Sequence, residues 1–199
     1  MASNPVTKIT EEEYLAIDRA AEVRSEFLDG EMWAMSGGSM QHSRLAMNIS
    51  AELYNALRGS NCEVFTSDLR VRVMPRRMYA YPDVTVVCGK PQLADDRQHI
   101  LVNPAVIFEV LSPTTEKYDR GTKFRHYLTI DTLNDYILVD QFAMRIEQYT
   151  RGTAGAWTFR AYRQPEDESK IDSIAVSLPL GRIYDRVELP PPEPESESE

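Results

Sequence analysis

The sequence predicts a single α/β domain of mixed α+β type, with one mixed β-sheet flanked by helices. Three observations carry the α/β reading. Helical-period and strand-period segments alternate along the chain, buried-type strand runs stand beside half-exposed ones, and 199 residues is the size of one domain. A chain of this length buries about 70% of its unfolded surface and needs no covalent or metal staple. Cys62 and Cys88 sit in no metal-ligand spacing and are read as buried small hydrophobes.

Thr10, with Glu13 three residues on, is a capping box that opens a short helix through about Arg19. SEFLDGEMWAMS alternates apolar and polar residues around Asp29-Gly30, a hairpin signal. Ser39 is the N-cap of a second helix, with Leu45, Ile49, Leu53 and Leu57 at helical spacing and Gly59 closing it. VFTSDLRVRV alternates as a strand, with Leu69, Val71 and Val73 facing one way and Asp68, Arg70 and Arg72 the other. Pro75, Arg76 and Arg77 turn the chain into YAYPDVTVV, a strand ending near Cys88, and residues 89–103 form a polar loop. AVIFEVLS is an apolar run of strand length ended by Ser112-Pro113. YDRGTKFRHYLT is a helix on the spacing of Phe124, Tyr127 and Leu128. YILVD is a further buried strand, and RIEQYTR and AWTFRAYR make a meander turned at Gly152 to Gly155.

There are 22 basic against 31 acidic residues, a net charge of −9. PPPEPESESE, residues 190–199, holds four of the glutamates; it is low-complexity and is read as a disordered acidic tail beyond a domain at 1–189. What remains is mildly acidic, so bulk charge does not coat nucleic acid, and a phosphate partner must be held locally. There is no apolar run near the roughly 18 residues of a membrane helix and no charged-then-apolar leader, so a cytoplasmic location is expected.

Glu109 is out of place in that setting. It interrupts the apolar run between Ile107-Phe108 and Val110-Leu111, and a carboxylate is almost never fully buried unless paired or metal-bound. Asp83, directly after Pro82, opens the β-branched run VTVV. Two inward-leaning carboxylates on neighbouring strands repel by about 1 kcal/mol in water at 4 Å and about 4 at an effective dielectric of 20. A divalent cation turns that repulsion into binding, and hard oxygen ligands suit Mg2+ or Mn2+. Lys123 follows on the next helix, where it could neutralise phosphate charge or orient a water. Plainer readings stand beside these: an Arg partner for Glu109, a turn-flanking role for Asp83, and a solvated Lys123 paired with Asp119 at i,i+4.

YPDVTVV, PAVIFEVLSPTTEKYDRGTKFRHYLTI and LNDYILVDQ, with RSEFLDGEMWAMSGGSMQHSRL upstream, resemble the prokaryotic Uma2 family of restriction-endonuclease-like proteins. More widely, the order acid, acid, lysine is similar to the PD-(D/E)XK nuclease superfamily. The resemblance spans about Glu11 to Tyr149. It implies that Asp83 and Glu109 are catalytic metal ligands, with the backbone carbonyl of Val110 as a third oxygen. The superfamily lysine should stand at 111, where this chain has Leu111, and the resemblance implies that Lys123 takes over its function. Glu26 and His42 match positions in the family's N-terminal motif as accessory groups. For His42, sharing a helix face with Leu45 and Ile49, the alternative is a core histidine; for Glu26, a plain hairpin charge.

The activity implied is hydrolysis of DNA phosphodiester bonds with a divalent metal, Mg2+ or Mn2+. Arg70, Arg72, Arg76 and Arg77, with Arg120 and Arg125 flanking the lysine, are the expected nucleic-acid contacts; for the first four, the alternative is a charged edge strand. A catalytically silent member of the same fold that binds nucleic acid or protein is the second reading, favoured by Leu111. A purely structural module with an ion-paired Glu109 is the third. Ser112, His126 and Asp140 lack a nucleophile elbow, His99 stands alone in a loop, and no Gly-rich phosphate loop is present. A two-fold homodimer is the default assembly for a protein that cuts duplexes.

Overall fold

The computed structural model describes residues 8–35, 37–74, 77–95 and 99–191. In chain order the elements are α1 (Glu11–Ala20), β1 (Ser25–Leu28), β2 (Glu31–Ala34), α2 (Met40–Ala56), β3 (Cys62–Thr66), β4 (Arg70–Val73), β5 (Met78–Ala80), β6 (Val84–Cys88), β7 (Ile100–Leu101) and β8 (Val106–Leu111). They continue with α3 (Glu116–Tyr118), a π-helical turn (Asp119–Lys123), α4 (Phe124–Tyr127), β9 (Asp135–Asp140), β10 (Ile146–Arg151), β11 (Trp157–Tyr162), β12 (Glu168–Ile171), β13 (Val176–Pro179) and α5 (Leu180–Ile183).

The local signals act as the sequence predicts. At α1 the Thr10 hydroxyl accepts from Glu13 N–H while the Glu13 carboxylate accepts from Thr10 N–H, so both halves of the capping box are closed. Asp29 and Gly30 take φ of 53° and 95°, the two positive values a tight hairpin needs, and β1 pairs antiparallel with β2 across them. Ser39 caps α2 through His42 N–H.

One mixed sheet is expected, and the strands instead divide among three. The main sheet has the order β11-β10-β9-β8-β6-β3 and is antiparallel except for the β8/β9 pair. A second sheet, β2-β1-β5-β4-β7, packs on one of its faces, and β12-β13 form a separate hairpin. VFTSDLRVRV breaks at Ser67–Leu69 into β3 of the main sheet and β4 of the second, and YAYPDVTVV breaks at Pro82 into β5 and β6. The expected loop over 89–103 contains the short β7, which pairs parallel with β4.

Alternation along β8 divides the core. Val106, Phe108 and Val110 meet Leu45, Ile49 and Leu53 of α2 and the C-terminal hairpin. Ile107 and Leu111 face the second sheet and Tyr127, Ile130 and Leu133. Leu111 is therefore core, buried among apolar neighbours where a lysine would be costly. On the far side of the second sheet, Tyr14 of α1 packs on Phe27, Tyr79 and Ile100.

Cys62 and Cys88 stand opposite one another in the β3/β6 register and form a disulfide, which corrects their reading as free hydrophobes. Cα atoms 4.0 Å apart in paired strands place the sulfurs within bonding reach, a proximity their separation in sequence does not disclose.

Candidate active site

The site lies where the ends of β6 and β8 meet α2 on one face of the main sheet and the broken helix α3–α4 on the other. Continuing the β6/β8 register places Pro82 opposite Val110. Proline ends the ladder there, and Asp83 takes the remaining partner: its Oδ2 accepts from Val110 N–H at 2.7 Å. The same oxygen is 3.2 Å from Nε2 of His42, in the first turn of α2. His42 thus lines the cleft beside Asp83 and is not enclosed in the core with Leu45 and Ile49. Burial works against its charged form, but the hydrogen bond and charge of Asp83 outweigh this, with help from Asp119 and the Val110 backbone. Its pKa is raised.

Glu109 shares its sheet face with Ile107 and Leu111 and is buried. Its Oε1 accepts from the Tyr127 hydroxyl at 3.1 Å and lies 2.8 Å from Nζ of Lys123. Lys123 closes the π-helical turn, and such wide turns occur often at functional sites. Its ammonium also lies 3.0 Å from Glu26 and 3.5 Å from Asp119, so one buried cation serves three carboxylates. The expected i,i+4 pairing with Asp119 exists, but inside the protein and not in solvent. Glu26 arrives from β1 of the second sheet, its Oε1 held by Tyr81 N–H at 3.2 Å.

Burial pushes the Glu109 carboxyl well above its ordinary range; Lys123 pulls it down, while Asp119, Asp83 and Glu26 push it further up. Asp119 is raised by burial, against the pull of Lys123 and a Thr115 hydrogen bond. Lys123 stays firmly protonated: burial opposes its charge, but Glu109, Glu26, Tyr127 and Asp119 together prevail. Four acids facing one lysine and one histidine is a surplus of negative charge, the condition a divalent cation relieves.

Sequence reasoning missed several of these groups. Asp119 entered it only as a helix partner. Gln141, buried at the end of β9, donates to Leu111 O at 2.6 Å and accepts from Ser39 Oγ, fastening β8 to the N-cap of α2. Its one signal was a polar residue directly following a buried strand. Tyr118 and Trp33 meet edge to face with centroids 5.4 Å apart on the cleft wall. Among the described residues the Tyr118 hydroxyl is buried without a hydrogen-bond partner, as a group is that a ligand completes, and Asp119 Oδ1 has only the ion pair with Lys123.

The arginine expectations need correction. Arg70 and Arg72 do alternate away from Val71 and Val73, but α1 covers that face. Glu11 and Asp18, two helical turns apart, capture them: Arg70 pairs with Asp18 and the Tyr81 hydroxyl, and Arg72 with Glu11 at 2.8 Å. Arg77 is exposed beside Glu11, and Arg76 lies outside the described residues. Arg120 is held by Glu116 and Glu147, and Arg125 is exposed with Thr122 as its hydrogen-bond partner. None of these five described arginines lines the cleft.

The cleft has a volume of about 940 Å³. Its floor is Glu26, Asp83, Glu109, Asp119, Lys123 and His42; Glu188, Leu189 and Pro190 also line it, so the first residue of the expected tail contributes to the cleft. From residue 192 that tail lies outside the described residues, as do residues 1–7.

Magnesium and manganese fit these donors. Among the described residues there is no cage of three or more His, Cys, Asp or Glu ligands. Magnesium, however, is usually held by one or two carboxylates together with waters and substrate phosphate. Asp83 and Glu109 use Oδ2 and Oε1 in the bonds above, and Oδ1 and Oε2 lie outside those bonds.

A mixed sheet flanked by helices is the arrangement of a restriction-endonuclease-like fold, and at its strand ends Asp83, Glu109 and Lys123 line one cleft. The comparisons agree. The chain belongs to the Uma2 family, described as "Putative restriction endonuclease", whose family model matches residues 11–181. Two uncharacterized proteins of Synechocystis are similar to it. One, slr1290, is 37% identical over 92% of this chain and 94% of its own; the other, sll1609, is 38% identical over 76% and 86%. A crystal structure from Anabaena variabilis, described as a "putative nuclease belonging to DUF820", shares the fold with a TM-score of 0.74. The two are 17% identical, over 89% of this chain and 98% of that one. Among the described residues no helix is long and apolar enough to cross a membrane.

Proposed function

We propose that this chain is a divalent-metal-dependent endonuclease that hydrolyses DNA phosphodiester bonds. The observation that carries the reading is the meeting of Asp83, Glu109 and Lys123 at one cleft from two strands and a helix, with Nζ of Lys123 2.8 Å from Glu109. Asp83 and Glu109 would hold Mg2+ or Mn2+, with the backbone carbonyl of Val110, directly after Glu109 in sequence, as a third oxygen. When bound, such an ion supplies Lewis acidity to the phosphate and acidifies a water.

The remaining chemistry belongs to the side chains. Lys123, protonated and fixed by three carboxylates, offers positive charge where the phosphate gathers negative charge. Glu26 and Asp119 fix its direction. His42 holds Asp83 in place through a hydrogen bond that its charged form strengthens. In hydrolysis the water oxygen bonds to phosphorus, the bond to one ester oxygen breaks with its electron pair, and the leaving oxygen takes up a proton.

The test is cleavage of plasmid and labelled oligonucleotides with Mg2+, Mn2+ or EDTA. Cleavage that needs the cation and disappears in Asp83→Asn and Glu109→Gln is expected. Cleavage insensitive to EDTA, or none with either metal, would overturn the reading; binding without cleavage would favour a silent nucleic-acid-binding member of the fold.

A further inference from the structure

Resting on that reading of the cleft, we infer that its substrate is an unpaired DNA strand, one of whose bases stacks on Trp33, and not an intact duplex. Proteins that grip duplex DNA draw most of their affinity from lysines and arginines spread along its phosphates. Here Lys123 is the one basic Lys or Arg side chain among the described residues that line the cleft, and it sits on the floor beside Glu109. Of the arginines expected to contact nucleic acid, the five described ones are engaged with Asp18, Glu11, Glu116 and Glu147 or stand outside the cleft.

What the walls offer instead is ring and apolar surface. Trp33 and Tyr118 line one side, Phe142, half exposed, lines the cleft as well, and Met35, Pro113 and Leu189 add apolar surface. A right-angled ring contact uses at most one face of each ring, so Trp33 keeps a face outside its contact with Tyr118. Aromatic platforms beside a localised phosphate site are how proteins hold single strands, because every base has a π-face and none need be paired. Bases in a duplex are already stacked on one another and cannot reach such a platform without being extruded. Trp33 lies opposite Glu26 in the β1/β2 register, so the stacking surface and the carboxylate that holds Lys123 are fixed to one hairpin. A base on Trp33 therefore sets where its phosphate falls on the floor. A single strand also needs only one cleft, so no second subunit is required to complete the cut.

The test compares oligo-dT with a duplex of mixed sequence, in Mg2+ and Mn2+, for the wild type, Trp33→Ala and Trp33→Phe, reading cleavage and fluorescence anisotropy in parallel. The expected result is preference for the single strand, a KM raised about tenfold in Trp33→Ala with kcat kept, and near-recovery in Trp33→Phe. Equal or better handling of the duplex overturns the inference, and so does a Trp33→Ala variant that binds oligo-dT as the wild type does. Anisotropy separates this from the endonuclease reading. Strand-selective, Trp33-dependent binding without cleavage keeps the inference and removes the nuclease, whereas cleavage without strand preference does the reverse.

Discussion

Nζ of Lys123 lies 2.8 Å from Oε1 of Glu109, across the gap between a helix and a strand of the main sheet. A lysine at 111, two residues along the strand, would share the face of Glu109 but compete with Ile107, Tyr136 and Leu138 for apolar space. Supplying the cation from the helix leaves that core apolar.

This arrangement predicts the behaviour of Glu109→Gln. The buried lysine keeps Glu26 and Asp119 as partners, and the amide removes repulsion with Asp83, so metal-free stability is expected to hold or rise. A structural ion-pair glutamate would behave otherwise, costing about 3–5 kcal/mol. Thermal melts decide: a large fall in Tm with cleavage intact removes the catalytic assignment.

Lys123→Met is expected to behave oppositely. It leaves Glu26, Glu109 and Asp119 facing one another without a cation, a loss of about 3–5 kcal/mol in the metal-free protein. Added Mg2+ should recover part of the Tm, because it replaces the missing charge; no recovery would count against a cation site at these carboxylates.

The pH dependence follows from the directions of the shifts. Glu109, Asp119 and His42 all have raised folded pKa values, so the folded state binds more protons than the unfolded one from about pH 4 upward. The slope of stability with pH has the sign of protons bound unfolded minus protons bound folded, and is negative here. The Tm of the metal-free protein should fall from about pH 5 to about pH 8, and fall less in Glu109→Gln. By the same linkage, metal binding should release protons and strengthen with pH over that range. A flat profile in both measurements would show that these groups are not coupled.

Arg70 and Arg125 separate structure from nucleic-acid contact. Arg70→Met strands the buried Asp18 carboxylate and should cost about 3–5 kcal/mol, read as a lower Tm, with DNA affinity per folded molecule unchanged. Arg125→Ala should leave both unchanged, since its side chain is exposed and outside the cleft. Loss of DNA binding in either variant at full stability would reinstate the arginine face.

How far the sequence could be read depends on the range of the signal. The Thr10–Glu13 box, the Asp29-Gly30 turn and the Leu45–Ile49–Leu53 stripe act within one or two turns of chain, and each is seen in the structure. Glu109 was conspicuous because a charge in an apolar strand has few physical explanations. What covers a face is a longer-range matter. The alternation of Arg70 and Arg72 says that they share a side, and nothing in it says that α1 lies there. Nor does spacing reveal that Cys62 and Cys88 are register partners, or that Asp119 turns inward, which depends on the π-helical turn.

Glu26 stands on the second sheet and Glu109 on the main one, and both hold a single ammonium. The site is therefore a clasp as well as the proposed centre for chemistry: the sheets cannot part without unfastening Lys123. Local opening that exposes the second sheet would disarm the protein before it unfolds, so inactivation on heating should precede the loss of the main sheet.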